Sequence, residues 1–249
     1  MTQKTSWEKS ADWYDDLLNQ EDTYQRKVIM PHLQRLMAIQ KGDTILDLGC
    51  GQGFFASEFS KAGARIIGVD TSKKLVTLAK KTVPKGIFYV GSAHELSFLN
   101  SDSFEKVAVI MAIQNMEQVG KVFKECFRVL KPGGSLYLVM NHPAFRVPQG
   151  SNWGWDETEK VQYRRIDHYL SESKVKIQMH PGGDPDEFTI SFHRPLQFYF
   201  KTLQATGLLV KRMEEWESHK KSHPGPRARA EDRARKEIPI FLFLEAVKP

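Results

Sequence analysis

From residue 44 onward the chain alternates two hydrophobic rhythms. Short apolar runs at Thr44–Leu48, Arg65–Val69, Ile87–Val90, Lys106–Ile110 and Ser135–Met140 predict strands. Between them, at about 54–61, 73–81 and 119–130, apolar positions recur every three or four residues and predict helices. Strands separated by helices imply a parallel sheet with right-handed crossovers. The rhythm breaks from Asn141 to Arg194, where prolines, aromatics and short alternating pieces such as KVKIQM and FTISFH read as an insertion after the fifth strand. It resumes with a helix at Leu196–Thr206, a strand at Leu208–Trp216 and a last strand at Ile240–Ala246. Ahead of the sheet, Trp7–Leu18 and Tyr24–Met37 have helical spacing, with Pro31 expected to break or kink the second helix.

Composition bounds this picture. A chain of 249 residues, 41% hydrophobic, suffices for one α/β domain with its own core. No apolar run approaches the roughly 20 residues of a membrane span, and the polar, acidic start MTQKTSWEKSADWYDD does not read as a targeting signal, so a cytoplasmic location without membrane contact is expected. The two cysteines, Cys50 and Cys126, belong to no CxxC or His/Cys cluster, which predicts reduced thiols and no metal site. The net charge is +6, and Ser218–Glu237 alone contributes +4 of it. After Pro226 this segment predicts a short solvated helix with Glu231 and Arg235 paired one turn apart; weak RNA contact through its arginines is the alternative.

The chemistry concentrates in ILDLGCGQGFF, Ile45–Phe55, where three glycines follow a strand. Such a turn lets a ligand lie against main chain. A dinucleotide site wants its third glycine three positions after the second, but Phe54 stands there and Gly53 comes early. Asp47, beside the loop, would repel a pyrophosphate and attract a cationic ligand. Asp70 ends the next strand, placed to accept both hydroxyls of a ribose. S-adenosylmethionine carries an ammonium, a sulfonium and a ribose and no phosphate, and suits this set.

ILDLGCGQG, the strand-end acid in GVD, and LKPGG at Leu130–Gly134 together resemble the class I S-adenosylmethionine-dependent methyltransferases, particularly the methyltransferase type 11 group. The resemblance covers about Trp7–Met140 and the closing helix and two strands. It implies a Rossmann-like α/β fold: a seven-stranded, mostly parallel sheet with helices on both faces and the last strand, FLFLEAVKP, antiparallel. It implies one domain over 1–249, with N-terminal helices (1–40) over the cofactor site and the insertion (141–194) as a substrate-side lid. It also implies that S-adenosylmethionine is bound and S-adenosylhomocysteine released, without a metal. Gly49, Gly51 and Gly53, with Cys50 between, would run under the cofactor; Asp47 would hold its amino group, and Asp70, next to Thr71, its ribose. The next strand often ends in an acid, but here Ser92 occupies that place, and adenine contacts pass to Ser92, Ala93 or His94, with an exposed turn favoured for His94 and Glu95. Met111–Asn115 would line the methionine end. Trp7, Trp13 and Tyr14 resemble an N-terminal aromatic helix closing over the cofactor.

The acceptor side is less marked. Methyl transfer needs a positioned nucleophile and, for a hydroxyl or protonated amine, a base. His142, directly after the fifth strand at the carboxyl edge, is the leading candidate; His168 in the insertion is a weaker one, as are His180 and His193. Arg146, Trp153, Trp155 and Tyr163 belong to an aromatic and arginine-rich stretch suited to a flat or anionic acceptor. A small-molecule acceptor methylated on N or O is expected, with RNA as the alternative; the sequence leaves the oligomeric state open.

Overall fold

The computed structural model describes residues 6–8, 11–178 and 188–249. Its centre is a seven-stranded sheet in the order β10-β11-β5-β4-β1-β2-β3. The strands are β1 (Thr44–Leu48), β2 (Arg65–Asp70), β3 (Ile87–Val90), β4 (Phe104–Ile110), β5 (Leu130–Asn141), β10 (Leu209–Trp216) and β11 (Phe241–Val247). Pairing is parallel from β3 through β5, and β11 runs antiparallel between β5 and β10. The expected sheet is therefore present. Strand β5 starts earlier than hydrophobicity alone implied, because Leu130 already pairs with Phe104 before a register shift carries the chain through LKPGG.

Alternation along the strands feeds two cores. Ile45, Ala108, Tyr137 and Val139 face one side, where they meet Leu33 and Met37 of α2 (Met30–Met37), Phe55 and Phe59 of α3 (Phe54–Lys61) and Val76 of α4 (Lys73–Thr82). Leu46, Val107, Val109, Leu136 and Leu138 face the other, against Val119, Val122, Phe123 and Cys126 of α5 (Val119–Val129) and Tyr199 and Leu203 of α6 (Leu196–Ala205). The α5 stripe, spaced three and four residues apart, is the periodicity that predicted the helix. Each fully buried large side chain contributes about 1.5–3 kcal/mol of transfer free energy.

Two elements differ from expectation. Helix α1 (Ala11–Asn19) begins after Trp7, which lies in a 3₁₀ turn at Ser6–Glu8. Pro31 does not break the second helix: a π-helical turn, Gln25–Ile29, precedes it, and Met30 N–H reaches Gln25 O five residues back, so the proline sits at the start of α2 where its missing N–H costs nothing. The insertion forms two antiparallel hairpins, β6 (Ser151–Asp156) with β7 (Val161–Ile166), and β8 (Ser173–Gln178) with β9 (Phe188–His193). His180 lies outside the described residues. The basic segment forms α7 (Ala228–Glu237), and Arg235 faces Glu231 at 4.0 Å as the spacing predicted. No helix among the described residues is long and apolar enough to cross a membrane.

Candidate cofactor site and its acceptor side

At the carboxyl ends of β1, β2 and β4 lies a cleft of about 350 Å³. Its floor is the turn after β1. Gly49 has φ +74°, and a Cβ there would stand 2.5 Å from the Ala112 side chain; only glycine lets the turn pass beneath the β4 loop. Gly49 N–H donates to Val69 O (2.8 Å), tying the turn to the end of β2. Gly53, also left-handed at φ +87°, begins α3. Gly49 and Gly51 line the cleft, whereas Cys50 and Gly53 support it from below: Cys50 is buried, with burial pushing its thiol pKa up, and Gly53 packs on Ala79.

Two carboxylates sit under this floor. Asp70 lines the cleft beside Thr71 and accepts from Gly51 N–H (3.0 Å) and Ser72 N–H (2.9 Å). Burial raises its pKa, and the Ser72, Gly51 and Thr71 amides offset part of that rise. Asp47 is 2% exposed, and its Oδ2 has no hydrogen-bond partner among the described residues. Burial, and then the charge of Asp70, push its carboxyl to about 7. No cation faces either group among the described residues, so the charge calls for a positively charged ligand.

Ser92, Ala93 and His94 form the opposite wall, joined by Met111, Asn115, Met116 and Gln118. Here the exposed turn favoured for His94 is corrected: Ser92 Oγ meets His94 Nδ1 at 2.6 Å, holding the ring on the cleft wall, while Glu95 is exposed. Met111 has φ +56°, a backbone state costing on the order of 1–3 kcal/mol for a non-glycine residue. Sequence reasoning missed Met116 and Gln118, which follow the 3₁₀ turn Ile113–Asn115 and lead into α5. Trp7 lines the cleft, and Glu8 beside it accepts from Ser72 Oγ (2.7 Å). Tyr14 lies in α1, with its side chain outside the described part.

The proposed base does not reach this cleft. His142 is 3% exposed; its Nε2 meets Glu215 Oε1 at 2.7 Å and its Nδ1 accepts from Ala144 N–H at 3.2 Å, so both nitrogens are spent on holding the loop after β5 to β10. His168 occupies an exposed turn at φ +56°. His193 is buried with Nε2 at 2.7 Å from Tyr169 O. Arg146, Trp153, Trp155 and Tyr163 do not line the cleft either: Tyr163 covers Gly154 across the β6–β7 pair, Trp153 lies under Arg164, and Trp155 lies under Arg227. They belong to the neighbouring loop and hairpin.

A family profile described as a methyltransferase domain matches residues 46–138, from β1 to β5. A crystal structure of an S-adenosylmethionine-dependent methyltransferase from Mesorhizobium loti superposes with a TM-score of 0.72 at 25% identity, covering 91% of this chain and 99% of that one. Residues 46–138 thus carry a methyltransferase domain, in a chain with the fold of an S-adenosylmethionine-dependent methyltransferase. Demethylmenaquinone methyltransferase of Chlorobaculum parvum is 32% identical over 119 residues, 47% of this chain and 49% of that protein. The biotin biosynthesis bifunctional protein BioHC of Cellvibrio japonicus is 31% identical over 179 residues, 72% of this chain and 34% of that protein. The chain thus spans about half the length of the first of these curated relatives and a third of the second. The cofactor of the family is S-adenosylmethionine, and the orphaned, buried Asp47 oxygen fits its cationic end. Among the described residues no cluster of His, Cys, Asp and Glu could hold a metal.

Proposed function

We propose that the protein transfers a methyl group from S-adenosylmethionine to a nitrogen or oxygen atom of a small-molecule acceptor held on the insertion side of the cleft. The uncompensated pair Asp47 and Asp70 beneath the glycine turn carries this reading. Asp70 would hold the ribose hydroxyls, Asp47 the ammonium, and the Gly49 and Gly51 main chain the body of the cofactor. When bound, S-adenosylmethionine supplies a methyl carbon already activated by its sulfonium. The chain's own work is to position and to exclude water: Met111, Asn115 and Met116 wall the side next to β4, and Trp7 closes the rim. Segments 1–40 and 141–194 serve as the covers of the cofactor and acceptor respectively.

A small acceptor is favoured over RNA because much of the basic segment is already paired. Arg227 meets Glu157 at 2.6 Å, Arg235 faces Glu231, and Lys220 pairs with Asp22. The curated relative named for demethylmenaquinone, itself a small molecule, supports the same choice. Calorimetry with S-adenosylmethionine and its demethylated product tests the cofactor; NAD binding without a response to either would overturn it. Label transfer into cell extract divided into RNA, protein and metabolite fractions tests the acceptor. Label in the metabolites is expected, and label in the RNA would reverse the choice.

A further inference from the structure

The loop after β5 carries Arg146. Arg146 is partly buried, yet its guanidinium makes no hydrogen bond or ion pair among the described residues. The other arginines withdrawn from solvent each have at least one acceptor: Arg128 has Glu125, Arg194 has Glu117 O, Arg235 has Glu231, and Arg164 has Phe145 O and Ser151 Oγ, although Arg194 Nη1 and Arg235 Nε are buried without one. The Arg146 guanidinium nitrogens keep some contact with solvent, so the cation is partly desolvated, a cost that an anionic partner would offset. Arg164 adds to that cost by standing within electrostatic reach of Arg146, like charge against like.

Arg164 is also held for use. Its Nε donates to Phe145 O at 2.9 Å and its Nη2 to Ser151 Oγ at 2.7 Å, while the guanidinium plane lies over the Trp153 ring at 5.2 Å. Two of its five N–H donors are thereby fixed and the remainder stay free for a planar acceptor. The Tyr24 hydroxyl, bonded to Ser218 Oγ at 3.1 Å, lies within electrostatic reach of Arg146. Tyr24 packs edge-on against Phe241, which pairs with Asn141 at the end of β5. Beside β5, Met111 N–H bonds Val139 O, and Met111 lines the cofactor cleft. The arginines therefore occupy the carboxyl edge of β5, adjoining the strand whose end walls the cleft.

We infer that Arg146 and Arg164 form an oxyanion-binding subsite, so that the acceptor carries a carboxylate or phosphate recognised by the loop after β5 and the β6–β7 hairpin. This deepens the methyltransferase reading and rests on it for the word acceptor, but oxyanion binding is measurable without cofactor. Inorganic phosphate and benzoate are titrated separately into the cofactor-free protein, with chloride holding ionic strength constant, in wild type, Arg146→Gln and the Arg229→Gln/Arg233→Gln double variant. Saturable binding of at least one probe is expected, weakened at least tenfold by Arg146→Gln and unchanged in the double variant. Arg146 has no internal bond to lose, so Arg146→Gln should melt no lower than wild type without probe, which a structural arginine would not permit. Absence of saturable binding of both probes, equal binding by wild type and Arg146→Gln, or a lower melting temperature for Arg146→Gln would overturn the subsite. Retained oxyanion binding in a protein that ignores S-adenosylmethionine would sink the methyltransferase reading and leave the subsite standing.

Discussion

The carboxyl edge of the sheet has two sides built on opposite charge. Among the described residues, Asp47 and Asp70 under the glycine turn have no cation beside them, and in the loop after β5 the half-buried Arg146 has no carboxylate beside it. Elsewhere the fold follows the usual economy, pairing Lys106 with Asp43 at 2.5 Å and Glu245 with Lys211 at 3.0 Å. Charge left unmatched at a partly or fully buried position is stability given up, and both instances fall where ligands bind in open α/β sheets. The difference lies in support. Asp70 is gripped by backbone amides of a rigid turn, whereas Arg146 is carried by a loop leading into the β6–β7 hairpin.

The largest test of the contrast is Asp47→Asn. The folded Asp47 carboxyl titrates near 7 against an ordinary 3.8, so the cofactor-free protein loses stability as pH rises from about 4 to 7, by up to about 4 kcal/mol. The asparagine variant should melt higher than wild type at pH 8 and the same at pH 4. It should also bind S-adenosylmethionine more weakly, and wild-type affinity should rise from pH 5 to 7 with proton release on binding, seen by calorimetry in buffers of different ionisation enthalpy. A pH-independent wild-type affinity would remove Asp47 from the cofactor's charge complement. Next, Asp70→Ala should weaken the cofactor by roughly 1–3 kcal/mol; an unchanged Kd would shift ribose binding elsewhere.

His142→Ala sharpens the boundary between site and scaffold. It leaves the loop after β5 unpinned, so a loss of about 1–3 kcal/mol in stability is expected with kcat largely kept. Burial holds the His142 pKa below 6.5 despite Glu215. Its contribution is thus complete above that pH and declines as pH falls below it, a dependence the variant should lack. A collapse of kcat without loss of stability would return the residue to catalysis. The smallest effect is expected for Arg229→Glu with Arg233→Glu on the exposed face of α7: within about 0.5 kcal/mol in stability and no change in transfer. Lost transfer there would revive the RNA reading.

The cofactor half was legible because its signals are contiguous. Three glycines, Asp47 and Asp70 stand within 24 positions of one another, and the local chemistry of a strand-to-helix turn leaves them few arrangements. His142 was legible as the residue after β5 but its partner was not, because that partner comes from register: Glu215 pairs with Leu242, which pairs with Met140, and that chain of pairings brings residues 73 positions apart into contact. His94 was underrated because its orientation depends on one hydrogen bond from Ser92 that no periodicity encodes. The Arg146 surroundings draw on Tyr24, Ser151, Arg164 and Ser218, which converge only once the insertion folds back.

The antiparallel strand has a consequence in time. Everything that shapes the cofactor cleft from Trp7 to Val122 precedes β5, but β5 receives its second neighbour only when Phe241–Val247 slides between it and β10. The order of synthesis of the last two strands is thus inverted in space: β10 is made first yet joins the sheet only through the strand made after it. At roughly 5–20 residues per second, the 100 positions from Asn141 to Phe241 take about 5–20 s to translate, during which the apolar edge of β5 stands open beside the growing chain.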